Sequence, residues 1–162
     1  MLKDQLQKDL TESLKAGNKL KRSVLGMLMT AIHNRELNKR TQLSKTIKDI
    51  GELETKSKLT DEEVLEAVAG EVKKRKESIE QFRAGNRPEL AKKESDEMEI
   101  LKAYLPEQFS EAEVGAEIDK IIKESSTGGI KDAGKIIGSV MAKLKGKADG
   151  SMVSRLVKEK LS

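Results

Sequence analysis

Lysine side chains gather near the C-terminal end of the chain, where two short helices are predicted to meet. Lys143, Lys145 and Lys147 alternate with other residues around Gly146, and from residue 131 onward the chain has 8 basic and 3 acidic residues. Ammonium groups concentrated on one surface attract phosphate. The chemistry indicated at this end is therefore the binding of a polyanion, not the making or breaking of bonds.

The overall charge hides this concentration. The whole chain has 32 basic and 28 acidic residues, a net charge of +4. Residues 1–58 hold 13 basic and 7 acidic groups, whereas residues 59–130 hold 11 and 18. The layout is basic, then acidic, then basic again, so the modest total does not exclude nucleic acid as a partner.

The candidate RNA-binding residues are basic groups of the last 32 residues: Lys131, Lys135, Lys143, Lys145, Lys147 and Arg155. The lysines around Gly146 are expected to face few acidic neighbours. Free amides at the start of the last predicted helix add partial positive charge. Because this region has no aromatic side chain on which bases could stack, contact is expected with the RNA backbone and its shape. A purely solubilising role is the alternative for these lysines.

Four glycines of the same stretch are candidates for a close backbone approach or a turn. Gly134 and Gly138 lie four residues apart on one predicted helix face, a spacing that lets a partner helix or a ribose-phosphate come close; helix packing is the favoured interpretation. Gly146 stands where a left-handed helix C-cap belongs. Gly150 follows Asp149, which is placed to cap the next helix.

Other reactive side chains offer no catalytic arrangement. His33 is the only histidine and there is no cysteine, so it is interpreted as a solvent-facing residue and no metal site is predicted. Asp96, Glu97 and Glu99 are neighbours on one helix and are interpreted as a solvated face, not as an acid–base pair. The segment 125–129 matches no nucleophile or phosphate-loop spacing and is interpreted as a linker. Neither a catalytic residue nor a cofactor is predicted.

The run Lys73-Lys-Arg-Lys76 is a second basic feature. Four consecutive helical residues point around most of a turn, so they cannot form one flat patch. Glutamates three or four residues away can pair with them. A solvated, salt-bridged face is the interpretation, and an RNA contact is the alternative.

The elements that position these residues are predicted to be helices. Apolar residues recur at three-and-four spacing, for example Leu2, Leu6, Leu10 and Leu14 ahead of Gly17, and no segment alternates like a strand. A longer second helix with many apolar residues is expected at the centre of the N-terminal part. The prediction is an all-α fold with a helical bundle of about four helices over residues 1–105 and a three-helix tail over residues 106–162.

Helix starts are marked by capping boxes, in which a side-chain hydroxyl and a glutamate satisfy each other's free backbone amides. Thr60 with Glu63 and Ser110 with Glu113 have this spacing. Residues 38–58 are left open between a continuation of the second helix and a break before Leu59. No apolar run approaches the ~20 residues that span a bilayer. With no signal-peptide pattern at the N-terminus, a cytoplasmic location is expected.

Several short motifs carry a resemblance to a known family. In the tail they are Asp132-x-Gly134-Lys135-x-x-Gly138, Lys143-Leu-Lys-Gly-Lys-Ala-Asp-Gly150 and Val153-x-x-Leu156-Val157; upstream they are Lys73-Lys-Arg-Lys-Glu-Ser-Ile79, Ala84-Gly85, Glu97-x-x-Ile100-Leu101 and Tyr104-Leu-Pro-x-Gln108. On these residues the chain resembles the GatB/YqeY family, which comprises stand-alone YqeY-like proteins and the tail domain of the GatB component of glutamyl/aspartyl-tRNA amidotransferases.

This resemblance implies an association with tRNA and with carbon–nitrogen ligase activity that uses glutamine as amido donor. In the amidotransferase, the tail helps to hold tRNA while other domains do the chemistry. This sequence has neither the kinase-like domain of GatB nor a glutaminase nucleophile. The expected function is a tRNA-contacting accessory module in translation, with a tRNA-charging or amidotransferase-related protein as a possible partner. A helical protein-interaction adaptor is the alternative.

Overall fold

The fold consists of helices joined by turns. The computed structural model describes residues 1–125, 132–144 and 146–162, and no strand occurs in these ranges. The predicted all-α class is confirmed. The chain divides into two compact units, Met1–Tyr104 (unit 1) and Leu105–Ser162 (unit 2). Across the described ranges, no helix combines the length and apolar character needed to cross a membrane.

Unit 1 is built around its second helix. Its helices are α1 (Leu2–Lys15), α2 (Lys19–Leu43), α3 (Ile50–Ser57), α4 (Asp61–Ala84) and α5 (Pro88–Lys102). α2 packs against each of the other four. It buries Val24, Leu25, Leu28 and Ile32, which recur at helical spacing on one face. The central position predicted for this helix is confirmed.

Local sequence fixes most helix ends in unit 1. Gly17, with φ +69°, follows α1 in the left-handed region that favours glycine. Thr60 and Glu63 form the predicted capping box at the start of α4. α5 begins with Pro88, whose missing amide hydrogen costs nothing in a first helical turn.

The segment left open by the sequence contains an additional helix. α2 continues to Leu43 before the chain turns, and the Asp49 side chain then accepts a hydrogen bond of 2.7 Å from the Glu52 amide to start α3. Gly51 lies in the first turn of α3 and does not end it. Lys58 is extended, so the expected break before Leu59 is present. The described part of unit 1 therefore has five helices where about four were predicted.

One basic residue of the Lys73–Lys76 run is buried, which corrects its interpretation as a solvated face. Arg75 is 7% exposed between α4 and α5, where its Nη2 donates to Glu97 Oε2 at 3.0 Å. Glu97 is 6% exposed, so the solvated face predicted for Asp96, Glu97 and Glu99 is also wrong at its middle residue. Arg75 Nη1 contacts Glu71 Oε2 at 3.3 Å. The two motifs meet because α4 and α5 pack closely together.

Tyr104 ties the end of unit 1 to its first helix. Its hydroxyl donates to Asp9 Oδ2 at 2.5 Å. Gln5 Nε2 donates to the other carboxylate oxygen at 2.7 Å, and Lys21 Nζ lies 3.6 Å from Oδ2. The hydrogen bond from Tyr104, helped by the charge of Lys21, lowers the pKa of Asp9. Burial and the Asp9 carboxylate raise the pKa of the Tyr104 phenol, which therefore remains a donor.

Replacing Tyr104 with phenylalanine is expected to lower the free energy of unfolding by about 2 kcal/mol at neutral pH, the contribution typical of a hydrogen bond to a charged group. The folded pKa of Asp9 is depressed, so its stabilising contribution is present above the ordinary value of 3.8 and is lost as the pH falls through the folded pKa. The cost of the substitution should therefore shrink in acid. Urea unfolding at about pH 7 and about pH 3 measures it.

An Asp9→Asn background provides the control for this prediction. There the carboxylate is absent at every pH, so Tyr104→Phe should cost less and should cost the same at both pH values. An equal cost in acid and at neutrality in the natural Asp9 background would show that the Tyr104 hydroxyl does not act through the carboxylate.

Candidate nucleic-acid interface

The described part of unit 2 has three helices and carries four of the six candidate RNA-binding residues. Its helices are α6 (Glu111–Ser125), α7 (Ala133–Leu144) and α8 (Gly150–Leu161), and each contacts the other two. They share one core of apolar side chains: Val114, Ile118, Ile121, Ile136, Val140, Leu144, Val153, Leu156 and Val157. The predicted capping box starts α6, with the Ser110 amide donating to Glu113 Oε2 at 2.7 Å and the Glu113 amide to Ser110 Oγ at 3.3 Å.

α7 ends at Leu144 and α8 begins at Gly150, and the connection between them is called the basic turn. Gly146 has φ +77°, and the Lys147 amide donates to the Leu144 carbonyl at 2.9 Å. A side chain at residue 146 would be strained in this left-handed conformation. The Asp149 carboxylate accepts a hydrogen bond of 2.7 Å from the Ser151 amide. The predicted turn at Gly146 and the predicted N-cap at Asp149 are confirmed. Gly150 is the first residue of α8.

The segment before α6 donates hydrogen bonds to the basic turn. The Phe109 amide donates to the Lys147 carbonyl at 2.8 Å. Gln108 Nε2 donates to the Gly146 carbonyl at 3.0 Å. The Lys147 ammonium lies 5.7 Å from the centroid of the Phe109 ring, within the range of a cation–π contact. The Tyr-Leu-Pro-x-Gln motif and the lysine-rich motif, far apart in sequence, thus meet in one structure.

Lys143 has an acidic partner on another helix, which corrects the expectation of few acidic neighbours. Its Nζ lies 3.1 Å from Glu117 Oε2 on α6. Glu117 also pairs with Lys120 at 2.6 Å. Sequence reasoning missed Glu117, because a glutamate 26 positions from Lys143 in the chain gives no local signal of a cross-helix pair.

The remaining candidate cations differ in their exposure and in whether a carboxylate pairs with them. Lys135 has an 85% exposed side chain and only a loose contact of 3.9 Å with Asp132. Lys147 is exposed, and no carboxylate in the described ranges pairs with it. Arg155 is held by Glu111 at 2.9 Å and by Glu159 at 3.1 Å. Lys131 and Lys145 lie outside the described residues. Of the predicted residues that the structure describes, Lys135 and Lys147 are therefore the most accessible to an anion.

The two glycines of α7 face open space. Gly134 and Gly138 are exposed, and a methyl group added to either would meet no described atom within 4 Å. The favoured interpretation of packing against another helix of the chain is therefore wrong for the part that the structure describes. Both leave bare backbone on the same helix as Lys135. The added methyl at Gly150 would make an ordinary contact of 3.6 Å with Met141.

The other reactive residues form no catalytic arrangement in the described structure. His33 is exposed, as interpreted, and lines a shallow depression with Glu36, Arg40 and Ser57. Ser125 is the last residue of α6, and the rest of the predicted linker lies outside the described residues. Groups of three or more potential metal ligands are absent from the described ranges.

Together, the described residues define an all-α protein whose unit 2 contains three helices and a lysine-bearing turn. A family profile described as "Yqey-like protein" matches residues 3–161, nearly the whole chain. The protein belongs to this YqeY-like family, and the family expected from the sequence motifs is confirmed.

Curated relatives align over most of the chain. Altered inheritance of mitochondria protein 41, mitochondrial, of Pyrenophora tritici-repentis is 30% identical over 158 residues, which cover 95% of this chain and 77% of the relative. The protein of that name from Lachancea thermotolerans is 29% identical over 154 residues, 91% of this chain and 74% of the relative. These names state no ligand and no reaction, so the function is argued from the surface of unit 2.

Proposed function

We propose that this protein is a tRNA-contacting accessory module whose unit 2 binds the RNA backbone. The observation that carries the proposal is the pair of exposed ammonium groups, Lys135 and Lys147, on the same small scaffold as the bare backbone at Gly134 and Gly138. Exposed cations beside an uncovered stretch of helix backbone suit phosphate and ribose, which need charge and close approach.

The membership in the YqeY-like family supports tRNA as the RNA class. The resemblance to the amidotransferase tail associates the chain with carbon–nitrogen ligase chemistry carried out by other domains. The described residues offer no nucleophile paired with a base, so the role proposed is holding RNA for a tRNA-charging or amidotransferase-related partner. The cytoplasmic location stays a prediction, since the names of the relatives refer to mitochondria.

A salt titration of tRNA binding tests this function. Each phosphate neutralised by a lysine releases counterions, so the logarithm of the binding constant should fall with the logarithm of salt. The slope should be about −3 for three contacts, made by Lys135, Lys143 and Lys147. Between about 50 and about 200 mM salt, the affinity should drop roughly 60-fold. Filter binding with total tRNA measures both, while circular dichroism shows that the helices persist at either salt concentration.

Two results would contradict the proposal: no binding at the lower salt concentration, or binding whose slope is weaker than about −1. The adaptor alternative makes a different prediction. It requires a protein partner that stays bound to the purified chain after nuclease treatment, whereas an RNA-bridged complex should dissolve.

A further inference from the structure

In the free protein, Glu117 forms an ion pair with Lys143, one of the candidate RNA-binding lysines. Its side chain is 18% exposed, and its Oε2 lies 3.1 Å from the ammonium of Lys143, which is 48% exposed. The contact with Lys120 and, after it, the contact with Lys143 lower the pKa of Glu117. The carboxylate is therefore charged at neutral pH, and it neutralises Lys143 on the surface where RNA is proposed to bind.

The two contacts of Glu117 differ in kind. Lys120, three residues along the same helix, donates a hydrogen bond of 2.6 Å to Oε1. Oε2 is buried and has no hydrogen-bond partner within the described structure, although the Lys143 ammonium is close by. The link between α6 and α7 is therefore a single close contact between an ammonium and a carboxylate oxygen, and ion pairs with a half-exposed partner such as Lys143 are weak.

A phosphate group is the better partner for Lys143. It brings negative charge and several acceptor oxygens, so it can accept hydrogen bonds from the ammonium through more than one oxygen, whereas Glu117 reaches Lys143 through Oε2 alone. When phosphate displaces the glutamate, Lys120 still compensates the Glu117 charge through Oε1. The exchange therefore leaves no buried charge without a partner.

We propose that Glu117 competes with RNA phosphate for Lys143 and thereby sets the strength of tRNA binding. The inference rests on the proposed function and deepens it, because it names the group inside the protein that restrains the site. In the free protein Lys143 pairs with Glu117 of α6. In the complex it pairs with a phosphate of the RNA backbone instead.

The test is tRNA filter binding by a Glu117→Gln variant, in the full-length chain. Removing the competing charge should tighten binding about three- to fivefold at low salt. Asp119→Asn is the matched control: it removes one carboxylate from the same helix two residues away, where Asp119 pairs with Lys160 at 2.7 Å on α8. Because Asp119 neutralises Lys160 and none of the candidate lysines, this control should change the affinity less than about twofold.

A second background shows whether the gain acts through Lys143. In Lys143→Gln protein, Glu117→Gln should add no more than Asp119→Asn does, because the competed lysine is absent. Equal gains from the two carboxylate variants, or a full gain that persists without Lys143, would overturn the inference while leaving tRNA binding intact. If the unaltered chain and the Glu117→Gln variant both fail to bind tRNA, the proposed function itself fails.

Discussion

Replacing Arg75 with leucine is expected to lower the free energy of unfolding by about 3 to 5 kcal/mol. Arg75 and Glu97 each have an 8% exposed side chain, and their ion pair of 3.0 Å joins α4 to α5. Without the guanidinium, Glu97 would be left buried and would lose the ion pair that now compensates its charge. Urea unfolding followed by circular dichroism measures the loss.

Two further variants separate burial from mere loss of charge. Arg75→Leu combined with Glu97→Leu removes both charges, and a pair replaced by apolar side chains of similar volume should recover most of the lost stability. Lys74→Ala is the surface control: Lys74 pairs with Glu71 at 2.6 Å, but its side chain is 71% exposed. It should cost less than about 1 kcal/mol. A cost for Arg75→Leu no greater than that of Lys74→Ala would refute the importance of the buried pair.

The second large effect, on tRNA affinity, is expected from reversing the charge of Lys135 and Lys147, the two most accessible candidate lysines that the structure describes. Lys135→Glu with Lys147→Glu should weaken tRNA binding at least tenfold and reduce the salt slope by about two, because two phosphate contacts are lost and two repulsions are added. Among the described residues, the Lys147 side chain contributes only a cation–π contact to the turn. Its backbone carbonyl accepts the hydrogen bond from Phe109 and is unaffected by the substitution, so the fold should survive. Filter binding at several salt concentrations measures both quantities.

The matched control reverses two lysines of the same unit outside the proposed surface. Lys123, in the last turn of α6, and Lys158, in the last turn of α8, are exposed. Their reversal to glutamate changes the net charge equally and should leave most of the affinity. If both double variants weaken binding to the same degree, the contact is general attraction and not a surface formed by Lys135 and Lys147.

The fold was largely predictable because its signals are local. Capping boxes at Thr60 and Ser110, the left-handed position at Gly146 and the apolar periodicity of α2 depend on residues a few positions apart. The burial of Arg75 was not predictable in this way. Its partner Glu97 is 22 residues away on another helix, and within its own helix Arg75 is indistinguishable from the exposed lysines beside it.

The candidate site was predictable in composition but not in geometry. The lysine-rich turn is visible in the sequence, whereas the pairing of Lys143 with Glu117 depends on how α6 and α7 pack. Gly134 and Gly138 show a related limit. Their spacing indicates a face that something can approach, but not that the described part of the chain leaves this face open.

The hydrogen bonds from Gln108 and Phe109 limit how far the tail can be shortened without losing contacts to its turn. A fragment that begins at Glu111 would keep all three helices of unit 2 yet discard the amide groups that reach the Gly146 and Lys147 carbonyls. A fragment that begins at Leu105 would retain them. The stretch before α6 has no regular structure of its own. A tail fragment moved to another protein should nevertheless include it together with the three described helices.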